Sequence, residues 1–225
     1  MPKKVQPEND IRIFTKNTEH YLEKTILPRD ALLKDLEKHA ESHDVPILGP
    51  HVGTLLSVIA RSIDAKNILE VGTATGYSGI WLARVAASNS GRLVTIENDP
   101  EMKRIAEKSF RKAGLDNSVE VILGDARDAV PEIARSREGD FDLILMDVGE
   151  KKLYIDLLDD CLKALRKGGV LIADDTLWHG SVVVPSEKDP ETRTMRKFNR
   201  IVLDDKRVES IVVPIGDGIT LAVKR

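Results

Sequence analysis

From residue 66 onward the chain alternates short apolar runs with amphipathic stretches, and that alternation constrains its fold more than any other feature. The runs are Asn67–Val71, Arg92–Glu97, Val119–Leu123, Phe141–Met146 and Val170–Ala173. Most are apolar on both faces, the pattern of strands covered by helices on both sides. Asp99-Pro100-Glu101 reads as a helix start: a capping carboxylate, a proline in the first turn and an acid facing the helix dipole. Met102, Ile105, Ala106, Phe110 and Ala113 supply the buried stripe, and Gly114 ends it. Leu153, Tyr154, Leu157, Leu158, Cys161, Leu162 and Leu165 form another stripe before Gly168-Gly169. Asp189-Pro190-Glu191 opens a last helix with Met195, Phe198 and Val202 inward. Two further strands, Val208–Val213 and Ile219–Val223, are joined by Pro214–Gly218, a connection short enough to imply an antiparallel hairpin.

Ahead of the alternating region, three helical stripes are expected. Ile11, Phe14, Thr18, Tyr21 and Leu22 mark the first, Leu32, Leu33, Leu36 and Ala40 the second. Val52, Leu55, Leu56, Ile59 and Ile63 mark the third, entered through Pro46, Gly49 and Pro50. The expectation is one α/β domain over 1–225, a Rossmann-like doubly wound sheet of seven mostly parallel strands ending in the antiparallel hairpin. Residues 1–65 are its helical N-terminal cap and 66–225 its cofactor-binding core.

Bulk properties narrow the function classes. With Lys+Arg 34 against Asp+Glu 37, the net charge of −3 opposes a whole-molecule attraction to nucleic acid. Lys3, Lys4, Arg193, Arg196, Lys197 and Arg200 leave room for a local basic patch. The single cysteine, Cys161, has no partner for an internal disulfide. Together with an opening MPKKVQPEND that lacks the apolar region of a signal peptide, this points to the reducing cytoplasm. No segment is long and apolar enough to span a membrane.

The first run leads into Ile68–Gly79, a strand, a glycine-rich turn and a helix start. Glycine tolerates positive φ and lets a ligand approach the backbone, and the helix start offers free N–H groups. The spacing Gly72-x-x-x-Gly76 is not the G-x-G-x-x-G of a dinucleotide loop, which sets a nicotinamide dehydrogenase aside. With no Gly-Lys-Ser/Thr ending, it is not a Walker A loop either. The pattern Glu70-x-Gly72-x-x-x-Gly76 resembles motif I of the class I S-adenosylmethionine-dependent methyltransferases. Glu97, at the end of the second run, is placed to accept the ribose hydroxyls. Gly124-Asp125-Ala126 follows the third run, where the resemblance puts the adenine.

Two later strand ends carry carboxylates: Asp147, then Asp174 and Asp175. In open parallel sheets sites form beyond the carboxyl ends of strands, so these acids converge beside the methyl donor. Three hard oxygen ligands suit Mg²⁺, and also Mn²⁺ or Ca²⁺. A strand-end aspartate taken alone reads equally well as a helix cap.

The stretches Asp174–Gly180, Asp189–Arg193 and Pro214–Leu221 resemble the cation-dependent O-methyltransferases, the family of catechol and caffeoyl-CoA O-methyltransferases. The resemblance runs from about Ile47 to the C-terminus. It implies a divalent cation at Asp147, Asp174 and Asp175, and S-adenosylmethionine at Leu48, Glu70, Gly72, Thr73, Gly76, Tyr77, Ser78, Glu97, Asp125, Ala126 and Asp147. It also implies a small acceptor with vicinal hydroxyls, walled by Trp178 and His179. Two departures stand out. The family usually has Asp-Asn where this chain has Asp174-Asp175, and it places a lysine one position nearer Asp147 than Lys151 stands. Lys151 therefore reads either as that catalytic lysine shifted by an insertion or as a solvated loop lysine. Two other functions compete: a methyltransferase acting on a hydroxylated tRNA base, and a non-catalytic nucleotide-binding protein. The apolar N-terminal stripes imply either a cover over the site or a homodimer interface.

Overall fold

The computed structural model describes residues 21–22, 24–26 and 28–225. Lys3, Lys4 and the first expected stripe from Ile11 to Thr18 lie outside the described residues. Helices α1 (Ala31–His43) and α2 (Gly49–Ser62) precede the sheet. Asp30 caps α1 by accepting from Leu33 N at 3.0 Å, and Leu33, Leu36 and Ala40 are buried. These two helices share a core with strand residues such as Ile68, Leu143 and Ile172, so the cap is packed onto the sheet.

Then follow β1 (Asn67–Val71), α3 (Tyr77–Ser88), β2 (Arg92–Glu97), α4 (Pro100–Lys112), β3 (Val119–Leu123), α5 (Ala126–Ser136) and β4 (Phe141–Met146). The chain continues through α6 (Lys152–Asp156), α7 (Leu158–Ala164), β5 (Leu165–Ala173), a 3-10 turn at Ser181–Val183, α8 (Pro190–Asp204), β6 (Val208–Val213) and β7 (Ile219–Lys224). The caps follow the sequence signals. Asp99 accepts from Glu101 N and Met102 N to start α4, and Asp189 accepts from Thr192 N at 2.8 Å to start α8.

The seven strands are ordered β3-β2-β1-β4-β5-β7-β6, with β7 antiparallel to both neighbours and all other pairs parallel. One face packs Leu69, Val71, Tyr154 and Phe198, and the other packs Ile68, Ile80, Leu82 and Phe110. This matches the doubly wound sheet and terminal hairpin expected from the alternation.

Three details differ from the sequence reading. Strand β5 begins at Leu165, because Leu165 pairs with Phe141 before a register shift that admits Gly168 and Gly169. The helical run expected across 153–165 is therefore shorter, and it is interrupted at Leu157. Strand β3, at the sheet edge, is only partly covered, with Leu123 half exposed.

Register decides where chemistry can gather. Val71 is level with Ile96 and with Met146, and Met146 with Ala173. Just beyond these residues the chain is stitched across strands: Gly72 N donates to Ile96 O (3.1 Å), Asp147 N to Val71 O (2.9 Å) and Asp174 N to Met146 O (3.0 Å). Gly72, Glu97, Asp147 and Asp174 thus share one edge, and the connections diverge between β1 and β4.

Candidate active site

A cleft of about 390 Å³ opens at that edge. Leu48, Gly72, Thr73, Tyr77, Ser78, Glu97, Asp125, Ala126, Asp147, Lys151, Asp174 and Asp175 all line it. Of the other residues singled out from sequence, Gly76, Glu70, Trp178 and His179 are not in its wall. Gly76 (φ 83°) turns the chain into α3. Glu70 lies behind the loop with no exposed surface.

The cofactor loop is fixed from beneath. Glu97 Oε2 accepts from Thr73 N (3.3 Å) and Ala74 N (2.8 Å), while Oε1 accepts from Asn98 N (3.0 Å) and Asp99 N (2.9 Å). One carboxylate therefore holds the β1 and β2 ends together at the lip of the cleft. Deeper down, Thr95 Oγ1 donates to Glu70 Oε2 at 2.7 Å. That uses the only proton of Thr95, so Thr73 Oγ1, 2.6 Å away, donates to Thr95. Glu70 Oε1 has no hydrogen-bond partner among the described residues. Burial pushes the Glu70 carboxyl up to about 7, with Asp147 and Glu97 adding to the rise and Ser78 and Thr95 opposing it. Gly72 has φ 100°, and a Cβ there would run into the Asp147 carbonyl oxygen. The donor loop and the first acid of the acceptor end are in backbone contact.

In the same cleft three acids, Asp147, Asp174 and Asp175, meet one lysine. Burial and the mutual repulsion of the carboxylates hold both Asp147 and Asp174 above the ordinary carboxylate range. Lys151 is only 2% exposed, so the solvated alternative is set aside. Its Nζ donates to Asp175 Oδ2 (2.7 Å) and Val148 O (3.0 Å), and it lies 5.0 Å from the ring centres of Tyr154 and Trp178. Among the described residues no three acidic, histidine or cysteine side chains stand as a ready-made metal cage. Asp175 is instead turned to Lys151. With all three acids ionised, one ammonium leaves two negative charges unbalanced beside Asp147 and Asp174. Hard oxygen donors carrying that charge suit one divalent cation.

Four contributors escaped the sequence reading. Glu37 of α1 accepts from Tyr77 Oη (2.7 Å) and pairs with Arg29 (3.0 Å), which ties the cap to the cofactor loop. Asp30 likewise pairs with Arg84 of α3. Arg127 bridges Asp125 and Glu150 across the mouth of the cleft. Asp217, in the β6–β7 turn, accepts from His179 N. Only Asp217 stood within a recognised motif; the others are charged residues with no local signal.

An O-methyltransferase family model matches residues 23–225. The chain belongs to the O-methyltransferase family. A catechol O-methyltransferase of Niastella koreensis is 33% identical over 214 residues, covering 92% of this chain and 96% of the relative. A caffeoyl-CoA O-methyltransferase of Stellaria longipes is 29% identical over 212 residues, covering 90% and 87%. The crystal structure of the O-methyltransferase from Bacillus cereus in complex with SAH has a TM-score of 0.82 at 30% identity, covering 93% of this chain and 97% of that one. This O-methyltransferase uses S-adenosylmethionine. Among the described residues no helix is long and apolar enough to cross a membrane.

Proposed function

We propose that this O-methyltransferase acts on one hydroxyl of a small catechol-like acceptor with vicinal hydroxyls, with a divalent cation, Mg²⁺ foremost, held by Asp147, Asp174 and Asp175. The observation that carries the reading is the acid cluster with its buried Lys151, lining the same cleft as Asp125 and Ala126. Similarity to a catechol and a caffeoyl-CoA O-methyltransferase supports a small-molecule acceptor.

The chain's own groups divide the work. Glu97 and the Thr73–Ala74 backbone orient the ribose, and Asp125 and Ala126 flank the adenine. Leu48, Tyr77 and Ser78 close over the methionine half. The cofactor supplies an activated methyl on a sulfonium, and the cation, when bound, supplies Lewis acidity that eases loss of a hydroxyl proton. Lys151, held by Asp175, would stand beside the reacting hydroxyl: the proton leaves to solvent, and the Lys151 ammonium pairs with the oxygen that has lost it. Trp178 and His179 flank the acceptor ring. Alignment of oxygen and methyl group is then the main contribution, since the leaving thioether needs no further help.

Incubation with labelled S-adenosylmethionine and a panel of catechols, with Mg²⁺ or with chelator, tests the reading. Transfer to a catechol that chelator abolishes and Mg²⁺ restores is expected. Transfer at the same rate in chelator removes the cation from the proposal. Two of the basic residues that would favour the tRNA alternative are engaged within the chain, while Arg193 and Lys197 are exposed. Arg196 donates to the carbonyls of Ser181, Val182, Val184 and Glu187, and Arg200 pairs with Asp204 at 2.6 Å. We also propose a homodimer, which exposed Ile211 and Val212 of edge strand β6 and Leu203 of α8 support and light scattering tests. A reducing cytoplasmic setting fits Cys161, whose buried thiol is pushed up to about 12. One domain is proposed for the chain, since among the described residues cap and sheet share a core.

A further inference from the structure

The loop from Asp174 to Gly180 contains three non-glycine residues in the left-handed region: Asp175 (φ 58°), Trp178 (φ 46°) and His179 (φ 54°). Such backbone is costly for residues with a Cβ and persists only where its surroundings enforce it. Here the enforcement comes from the turn between β6 and β7. The carbonyls of Asp217 and Gly218 accept from Leu177 N (2.8 Å) and Thr176 N (3.0 Å). The Asp217 carboxylate accepts from His179 N (2.6 Å to Oδ1, 2.9 Å to Oδ2), and its Oδ2 lies 3.1 Å from His179 Nδ1. Backbone and ring of His179 are thus gripped by one carboxylate that is itself mostly buried. The neighbouring Trp178 then stands 5.1 Å from the His179 ring and 5.0 Å from Lys151 Nζ.

We propose that Asp217 is a positioning residue for the methyl acceptor: by gripping His179 it fixes Trp178 against Lys151, and so sets which of two adjacent hydroxyls faces the methyl group. This rests on the catechol-like reading given above. A loop displaced by one lost bond still admits the ring but presents it in either orientation. The regiochemistry of the product therefore reports the grip, whereas general damage to the fold lowers both products together.

The test compares Asp217→Ala and Asp217→Asn with the parent protein on an asymmetric diol such as a dihydroxybenzoate. The ratio of the two monomethyl products, the acceptor KM and the cofactor Kd are measured. Asp217→Ala is expected to shift the ratio toward equality and raise the acceptor KM about tenfold, the factor for one lost hydrogen bond to a charged acceptor. Its cofactor Kd should stay within about twofold, since cofactor contacts are left in place. Asp217→Asn, which keeps an acceptor for His179 N, is expected to recover most of the selectivity. If Asp217→Ala does not fold, Asp217→Glu moves the carboxylate by one methylene and should shift the ratio alone.

A second readout needs no acceptor. The chain has two tryptophans, so in a Trp81→Phe background the emission reports Trp178 alone. Asp217→Ala is expected to move that emission to the red. Unchanged product ratio and unchanged emission overturn the assignment, as does a cofactor affinity that falls in step with acceptor affinity. If the parent protein methylates no diol, the acceptor reading fails by itself, and the Trp178 emission still decides whether Asp217 holds the loop.

Discussion

Glu70→Gln should flatten the pH dependence of stability in the cofactor-free protein. Glu70 has no exposed surface, one oxygen bonded to Thr95 and the other without a hydrogen-bond partner among the described residues. Its carboxyl ordinarily titrates at 4.5, whereas burial holds it at about 7 in the folded chain. The folded state therefore keeps the proton to higher pH than the unfolded state. The resulting stability is complete below about pH 4.5 and is lost as pH rises through about 7. The distance between those two values corresponds to about 3 kcal/mol across the window from about pH 4 to pH 8. Glutamine is uncharged at every pH and can still accept from Thr95, so the variant lacks this loss. Urea unfolding of both proteins at half-unit pH steps supplies the assay. The stability of the variant relative to the parent should rise by about 3 kcal/mol between about pH 4 and pH 8. Curves that run parallel across the window refute the account of Glu70 as a buried acid.

Three other outcomes follow from the same geometry. Gly72→Ala places a Cβ against the Asp147 carbonyl at φ 100°, and it should cost more than about 4 kcal/mol in thermal unfolding and abolish cofactor binding. Glu97→Gln turns an amide NH₂ toward backbone donors that now meet carboxylate oxygens, and calorimetry with S-adenosylhomocysteine should show affinity about tenfold or more weaker. Tyr77→Phe and Glu37→Ala should be non-additive by about 1 kcal/mol in a double-mutant cycle read by urea unfolding, and strict additivity would deny that this bond ties cap to loop.

Much of the fold was legible because its signals are local. Two-sided apolar runs, the Asp99-Pro100 and Asp189-Pro190 caps and the short β6–β7 turn each state their own structure within a few residues. Strand-end acids were legible for a related reason: register aligns the strand ends, so Glu97, Asp147 and Asp174 meet at one cleft without any help from side-chain detail. What stayed hidden depends on partners distant in sequence. The start of β5 at Leu165 is decided by pairing with Phe141, while Gly168-Gly169 reads locally as a break. Lys151 allowed two readings because Trp178 and Asp175, which help bury it, lie more than twenty residues away in the chain. Glu37 carries no local mark at all, since only the packing of α1 onto the sheet brings it to Tyr77.

The contact between Gly72 and the Asp147 carbonyl has an evolutionary consequence. The cofactor lip is carried by β1 and β2 and the acceptor end by β4 and β5, and these halves abut through main chain at the Gly72–Asp147 seam. A seam made of main chain is indifferent to the side chains on either side of it. Acceptor-end side chains other than Lys151, Leu153 and Asp175 can therefore be exchanged without moving the methyl donor relative to the first acid. Grafting such side chains between relatives is a route to new acceptor ranges that leaves the donor half untouched.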